Sequence, residues 1–282
     1  MVDIVQYRKA SDRTENTDSA PSANIWFDLP PEWAINKQGC EIWEDFVNSP
    51  SMISAQDVGL FATYIDTGVT LNQSAAGVGG VLAIVQDGTD NDEGWLTTGG
   101  NQGGAFLISD TAGADKKLWF EARVKVSSIV DDVVAFFVGL SEEGLAGANT
   151  MVDDTGVMAD KDYIGFNTVH VNGGTTGLNA VLRFTYKKAG QTAQTVLATL
   201  DTLVADTYVK LGFKYDPSEL TTKRIKVYLN GVEQSTYVTA TNIATATFPD
   251  GEELAVLFGS KAGTGTASTT SFDWIRVAQE RA

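Results

Sequence analysis

The densest run of hard oxygen donors in the sequence is Asp87-Gly88-Thr89-Asp90-Asn91-Asp92-Glu93-Gly94, with four carboxylates and one Asn amide. Ca²⁺ takes roughly six to eight such oxygens, so Asp87, Asp90 and Asp92 are candidate ligands. The spacing departs from the EF-hand loop, because no bidentate Glu stands at its closing position. Ca²⁺ is the one ion these residues suit, and nothing in the chain requires a cofactor. The pairs Asp131-Asp132 and Asp153-Asp154 offer too few donors alone. Directly after the acidic run comes Trp95, between Gly94 and Leu96-Thr97-Thr98. An indole in a loop beside hydroxyl groups can stack on a sugar ring, which makes Trp95 the candidate carbohydrate-binding residue. The competing reading is packing, the usual fate of an aromatic in an all-β protein.

The other reactive side chains stand alone. Glu142 and Glu143 are adjacent, so on a strand they would point to opposite faces, and a solvated turn suits them better. His170 is the only histidine and Cys40 the only cysteine. A disulfide within the chain and a Cys/His zinc cluster are both excluded, and His170 has no Ser or Cys partner to form a triad. The pairs Gly99-Gly100 and Gly173-Gly174 do not lie between a strand and a helix and read as turns, not phosphate cradles. No catalytic residue is expected.

The elements that must position these residues read as strands. Leu118 to Val126 alternates inward and outward with period two. Similar short runs occur at 59–65, 80–85, 105–109, 133–140, 163–171, 180–186, 208–215, 223–229, 254–259 and 272–277. The run ending at Leu229 meets Asn230-Gly231, the signature of a tight hairpin turn. Helical periodicity is not sustained anywhere, with 197–203 the nearest ambiguous stretch. About a dozen strands closed by Gly, Asn and Asp predict an all-β, antiparallel jelly-roll sandwich over residues 51–282. Residues 1–50 differ. Residues 10–24 are polar and cannot bury a core. Aromatics then cluster at Trp26, Phe27, Trp33, Trp43 and Phe46, as expected of an extended arm that docks its rings on another surface.

The formal charge of −16, from 36 acidic and 20 basic residues, argues against nucleic-acid and anionic-membrane partners. The N-terminus lacks the basic and apolar regions of a secretion signal, and no apolar run is long enough to span a bilayer. Synthesis in a host cytoplasm is the expectation.

Three stretches together resemble the concanavalin A-like lectin/glucanase sandwich: Trp119 to Val126 leading to Ala135–Leu140, Tyr208 to Asp216 leading to Ile225–Gly231, and the closing Phe272–Val277. The resemblance covers residues 56 to 279. It implies, for a glucanase, a Glu-x-Asp-x-x-Glu motif; Asp162, Ile164 and Asn167 stand in the three positions, so the carboxylate pair is missing. It also implies a structural calcium site at Asp273. With its arm and high glycine content, the chain further resembles structural proteins of tailed bacteriophages. That resemblance implies a non-enzymatic virion protein, a capsid decoration or cement protein whose arm meets the major capsid protein or sister subunits in a homo-oligomer. The alternative is a lectin-like module of a tail or fibre that binds host polysaccharide, with a glucanase relative least favoured.

Overall fold

A computed structural model describes residues 19–29, 39–47, 61–74, 80–98, 104–144, 147–170, 178–191, 194–263 and 265–281. The strands are β1 (Gly39–Glu44), β2 (Phe61–Ile65), β3 (Val69–Ser74), β4 (Val81–Gln86), β5 (Glu93–Thr98), β6 (Phe106–Leu107), β7 (Leu118–Val126) and β8 (Val134–Glu142). They continue as β9 (Tyr163–Asn167), β10 (Val181–Lys187), β11 (Thr195–Thr202), β12 (Val209–Tyr215), β13 (Ile225–Leu229), β14 (Val232–Val238), β15 (Glu253–Ala262) and β16 (Ser268–Glu280). Among the described residues two single-turn α-helices, α1 (Ala23–Trp26) and α2 (Ala240–Ile243), and a 3₁₀ turn at Leu178–Ala180 accompany them.

The strands form two antiparallel sheets of eight. Sheet I runs β14-β13-β12-β7-β16-β4-β3, with β1 paired to β16. Sheet II runs β11-β10-β9-β8-β15-β5-β2, with β6 paired to β15. The expected jelly-roll sandwich is therefore present. Period-two alternation builds its core: Leu118, Phe120, Ala122, Val124 and Val126 of β7 point inward, as do Val134, Phe136, Val138 and Leu140 of β8. Aromatic rings join the layers, with Phe258 of sheet II edge-on to Phe272 of sheet I at 4.9 Å. At the β13–β14 turn Asn230 and Gly231 have φ of 51° and 77°, the paired positive values that a type I′ hairpin needs.

Two sequence expectations change. The stretch 197–203 falls largely in strand β11. The boundary at residue 50 does not separate an arm from the sandwich, because β1 pairs with β16 from Gly39↔Glu280 to Glu44↔Ile275. Phe46 lies in the main core between Phe61 and Phe258. The sequence hides this strand because its inward residues, Cys40 and Ile42, are few and flanked by charge.

Candidate functional site

Functional side chains collect on the two outer faces of the sandwich, and each face carries a cover. On sheet II the cover is the segment between β8 and β9. Its Met151 and Met158 pair across an isolated bridge and pack with Trp95, Phe137, Tyr163 and Leu257. Glu93 anchors this cover. Its carboxylate accepts from Trp95 Nε1 at 2.9 Å, Thr150 N at 3.2 Å and Met151 N at 3.4 Å. Lys261 Nζ stands 3.6 Å from Glu93 and 2.7 Å from Asp153. Burial pushes the Glu93 carboxyl above its ordinary range, opposed by Lys261.

Trp95 is accordingly not a loop platform. It lies in β5, fully buried, with its ring over its cross-strand partner Gly259, where a Cβ would meet ring carbon Cε3 at 2.4 Å. Glycine at 259 is what allows the indole to lie flat against the sheet. Trp95 is spent on packing and cannot stack on a sugar.

The acidic run does not assemble as a cation cage. Asp87 and Asp92 approach Gly68, where a Cβ would meet Asp92 Oδ2 at 2.2 Å and Asp87 Oδ1 at 2.6 Å. Their oxygens serve the backbone: Gly68 N donates to Asp92 at 3.1 Å and Thr89 N to Asp87 at 2.8 Å. Asp90 is exposed at the adjoining turn. Among the described residues no three Asp, Glu, His or Cys side chains are placed to hold a metal. Asp273, at the β-bulge of β16 opposite β7, is ion-paired with Arg123 instead of facing a cation.

Glu142 and Asp162 do come together, but at the rim. Both continue inward-facing rows, after Leu140 and before Ile164, rather than the outward row of Ser141 and Tyr163. Asp162 N donates to Glu142 Oε2 at 3.0 Å, and Lys161 pairs with Glu142 at 3.0 Å. Desolvation, then contact with Glu142, raises the Asp162 carboxyl to about 6. The outward positions Gly139, Ser141, Gly165, Asn167, Thr185 and Lys187 carry no carboxylate, so among the described residues no acid/nucleophile pair stands at the centre of this face. Glu143 is exposed in the following turn. His170 is buried against Gly156 and Ala135, and neither ring nitrogen makes a hydrogen bond among the described residues. Its Nδ1 is 3.5 Å from Asp132 Oδ1, and burial lowers its pKa.

On sheet I the cover is the segment 19–29. Ser22 N and Trp26 Nε1 donate to Glu121 Oε2 at 2.9 and 2.8 Å, and burial raises the Glu121 carboxyl. Lys210 Nζ donates to Ala20 O at 3.3 Å, and Asn24 Nδ2 to Gly231 O at 3.0 Å. Trp119 Nε1 donates to Asp28 at 3.0 Å, and Lys214 also pairs with Asp28. Ile25 sits where a Cβ on Gly212 would lie 2.4 Å from it, so glycine opens the seat for the segment. Beside it, the Arg276 guanidinium carbon lies 4.0 Å from the Trp26 ring centre and 4.9 Å from that of Trp43. Trp43 stacks in turn on Trp274.

Of the predicted docking aromatics, Trp26 and Phe46 are thus buried in this chain and unavailable to another surface. Phe27 is 75% exposed and Trp43 44% exposed. Trp33 lies outside the described residues.

No protein-family model and no curated protein sequence matches this chain. Solved structures do resemble it. A protein of unknown function from Shewanella oneidensis is similar over 86% of this chain and 89% of its own, with TM-score 0.52 and 18% identity. A Bacteroides ovatus mixed-linkage-glucan GH16 protein with a bound product is similar over 84% of this chain and 99% of its own, with TM-score 0.51 and 11% identity. Peanut lectin is similar over 86% and 97%, with TM-score 0.49 and 13% identity.

The fold is a concanavalin A-like jelly roll.

Within this jelly roll the residues that sequence reasoning missed are Glu93 as an anchor, Lys261, Glu121 and the Glu142–Asp162 contact. Glu121 had a visible signal. It stands at the centre of the otherwise apolar and basic strand β7, where a lone carboxylate facing outward needs a partner. The partners of Glu93 come from residues 57 and 58 positions away, which no local pattern reports.

Proposed function

We propose that this chain is a non-enzymatic structural protein of a tailed-phage virion, a capsid decoration protein that docks through its N-terminal arm. The observation that carries the reading is the closed outer face of sheet II. The place where a hydrolase would need an open groove and two carboxylates is filled by the chain's own segment, latched on Glu93. On the segment 19–29, Phe27 projects with three quarters of its surface open. A large aromatic exposed on a segment otherwise held by Glu121, Lys210, Trp119, Lys214 and Arg276 is suited to a partner's pocket. The major capsid protein or a sister subunit is the partner this reading names.

The test is a density gradient of the native source lysate read by mass spectrometry. The protein should band with intact particles at high copy number, and remaining at the top as free protein would end the virion reading. Phe27→Ala should leave a folded domain that no longer joins particles. Deletion to residue 48 is unsuitable as a test, since it removes β1 and Phe46 from the sandwich.

A further inference from the structure

We propose that Lys261 and Asp153 condense into an isopeptide bond that fastens the segment between β8 and β9 to sheet II, with Glu93 as the proton carrier. Lys261 lies on β15, paired with Glu93 of β5 on one side and Ala135 of β8 on the other. Its side chain is 1% exposed, and its Nζ stands 2.7 Å from Asp153 Oδ1 and 3.6 Å from Glu93 Oε2. The same face carries the buried apolar cluster of Trp95, Ala135, Phe137, Met151, Tyr163 and Leu257. Bulk water is thereby kept from an amine that touches a carboxyl.

Two carboxyls face this one amine, and they are differently engaged. Glu93 already accepts from Trp95 Nε1, Thr150 N and Met151 N, so it is fixed in place, and it is the farther of the two. Asp153 stands in the turn enclosed by the Met151↔Met158 bridge, nearer the amine and with its side chain 53% exposed. The near carboxyl, open to solvent on one side, is the one attacked; the fixed one carries the proton.

The Lys261 ammonium gives one proton to Glu93 and becomes a neutral nucleophile. Burial, which pushes the Glu93 carboxyl up, brings it nearer the amine in proton affinity and lowers the cost of that transfer. The nitrogen lone pair forms a C–N bond to Asp153 Cγ, and one C–O bond of that carboxyl breaks. The departing oxygen takes the proton held by Glu93 and one more from the nitrogen, and leaves as water by the exposed side of Asp153. An ammonium and a carboxylate thus become an amide and one water, with no oxidant, reductant or cofactor. Two effects favour a condensation that open water disfavours. Aligned groups held in contact react at effective concentrations on the order of 10⁵–10⁸ M. The amide also removes two charges, one of them fully buried, whose desolvation is costly.

The bond goes beyond the virion reading and does not depend on it. A simple ion pair would use the same three groups but would leave the mass of the chain unchanged. The test is therefore the intact mass of the purified full chain under denaturing conditions, followed by a tryptic map. Each chain should be lighter than its sequence by one water, trypsin should leave Lys261 uncut, and a branched peptide should join Lys261 to Asp153. Asp153→Ala and Lys261→Met should both return to the full sequence mass, and Glu93→Gln should leave most chains uncondensed. Asp153→Ala alters a half-exposed turn side chain, so circular dichroism should find it folded. A wild-type chain at its full sequence mass would overturn the bond, whatever the variants do. So would a missing water that persists in Asp153→Ala, or one that maps to a cyclic imide at Asp87-Gly88 or Asp250-Gly251. A branched peptide undiminished in a folded Glu93→Gln would overturn the proton-carrying role. None of these masses bears on particle banding, and failure of banding leaves the bond untouched.

Discussion

The two outer faces of the sandwich are covered by unlike pieces of chain held by the same device. On sheet II a segment tied at both ends to β8 and β9 lies over Trp95, Phe137 and Tyr163. On sheet I an N-terminal segment lies over Trp119 and Ala278. In each case a buried glutamate on the sheet takes hydrogen bonds from an indole N–H and from backbone N–H of the cover: Glu93 from Trp95, Thr150 and Met151, and Glu121 from Trp26 and Ser22. The difference is completeness. Both oxygens of Glu93 are used, and Lys261 stands beside it at 1% exposure. Glu121 uses one oxygen, and its Oε1 is buried with no hydrogen-bond partner among the described residues. A buried acceptor left unmet costs free energy, so the cover on sheet I is the looser of the two. The lesson is that one carboxylate can make a cover part of the fold or leave it separable, according to how fully it is satisfied.

The strongest way to break this comparison is Glu93→Ala. It strands the Trp95, Thr150 and Met151 donors and leaves buried Lys261 with Asp153 alone. A loss of about 3–5 kcal/mol is expected, the scale for removing one partner of a buried ion pair. Urea unfolding measures it; a loss under about 1 kcal/mol would mean that Glu93 does not anchor the cover.

Glu121→Ala should cost less, about 1–2 kcal/mol, since the segment 19–29 can lift and let water reach the freed Ser22 and Trp26 donors. The informative readout is local. Limited proteolysis should cut near residues 19–29 well before the sandwich opens, with the unfolding slope in urea barely changed. If Glu121→Ala and Glu93→Ala destabilise equally and globally, the two covers are equivalent and the distinction between them is lost.

Much of the scaffold was legible in the sequence because alternation and turn chemistry are local. Leu118 to Val126 matches β7 end to end, and Asn230-Gly231 turns as its residue types require. Strand β1 was not legible, since a strand with two inward apolar residues is recognised only by the edge it pairs with. The site was less legible still. The sequence points Trp95 to a loop because it follows an acidic, glycine-containing run, yet its environment is decided by Gly259, far along the chain. In the sequence Trp43 is one docking aromatic among five, and its setting arises only when Trp274 and Arg276 arrive beside it from β16. Contacts of that separation have no local signature.

The smallest expected effect concerns a carboxylate that no cover satisfies. Asp162 sits at the rim of sheet II beside Glu142, with its carboxyl raised from 3.8 to about 6, first by desolvation and then by that contact. A raised carboxyl means that the folded state holds the proton more tightly than the unfolded state. Stability from this group is therefore greatest below the ordinary Asp range, falls as the pH climbs through about 6, and is flat above it. At neutral pH the ionised Asp162 carboxyl, first through its desolvation, opposes folding. Asp162→Asn keeps an oxygen to accept from Ala189 N, now 3.2 Å from Asp162, and removes the repulsion. It should raise neutral-pH stability by about 1 kcal/mol, discounted from the full shift because the rim is near water. It should also flatten the decline between pH 4 and about 6. Thermal melts of both proteins across that range decide the matter. A variant less stable at pH 7, or one with the same slope, would show that Asp162 is a satisfied anchor like Glu93 and that the rim belongs with the covered faces.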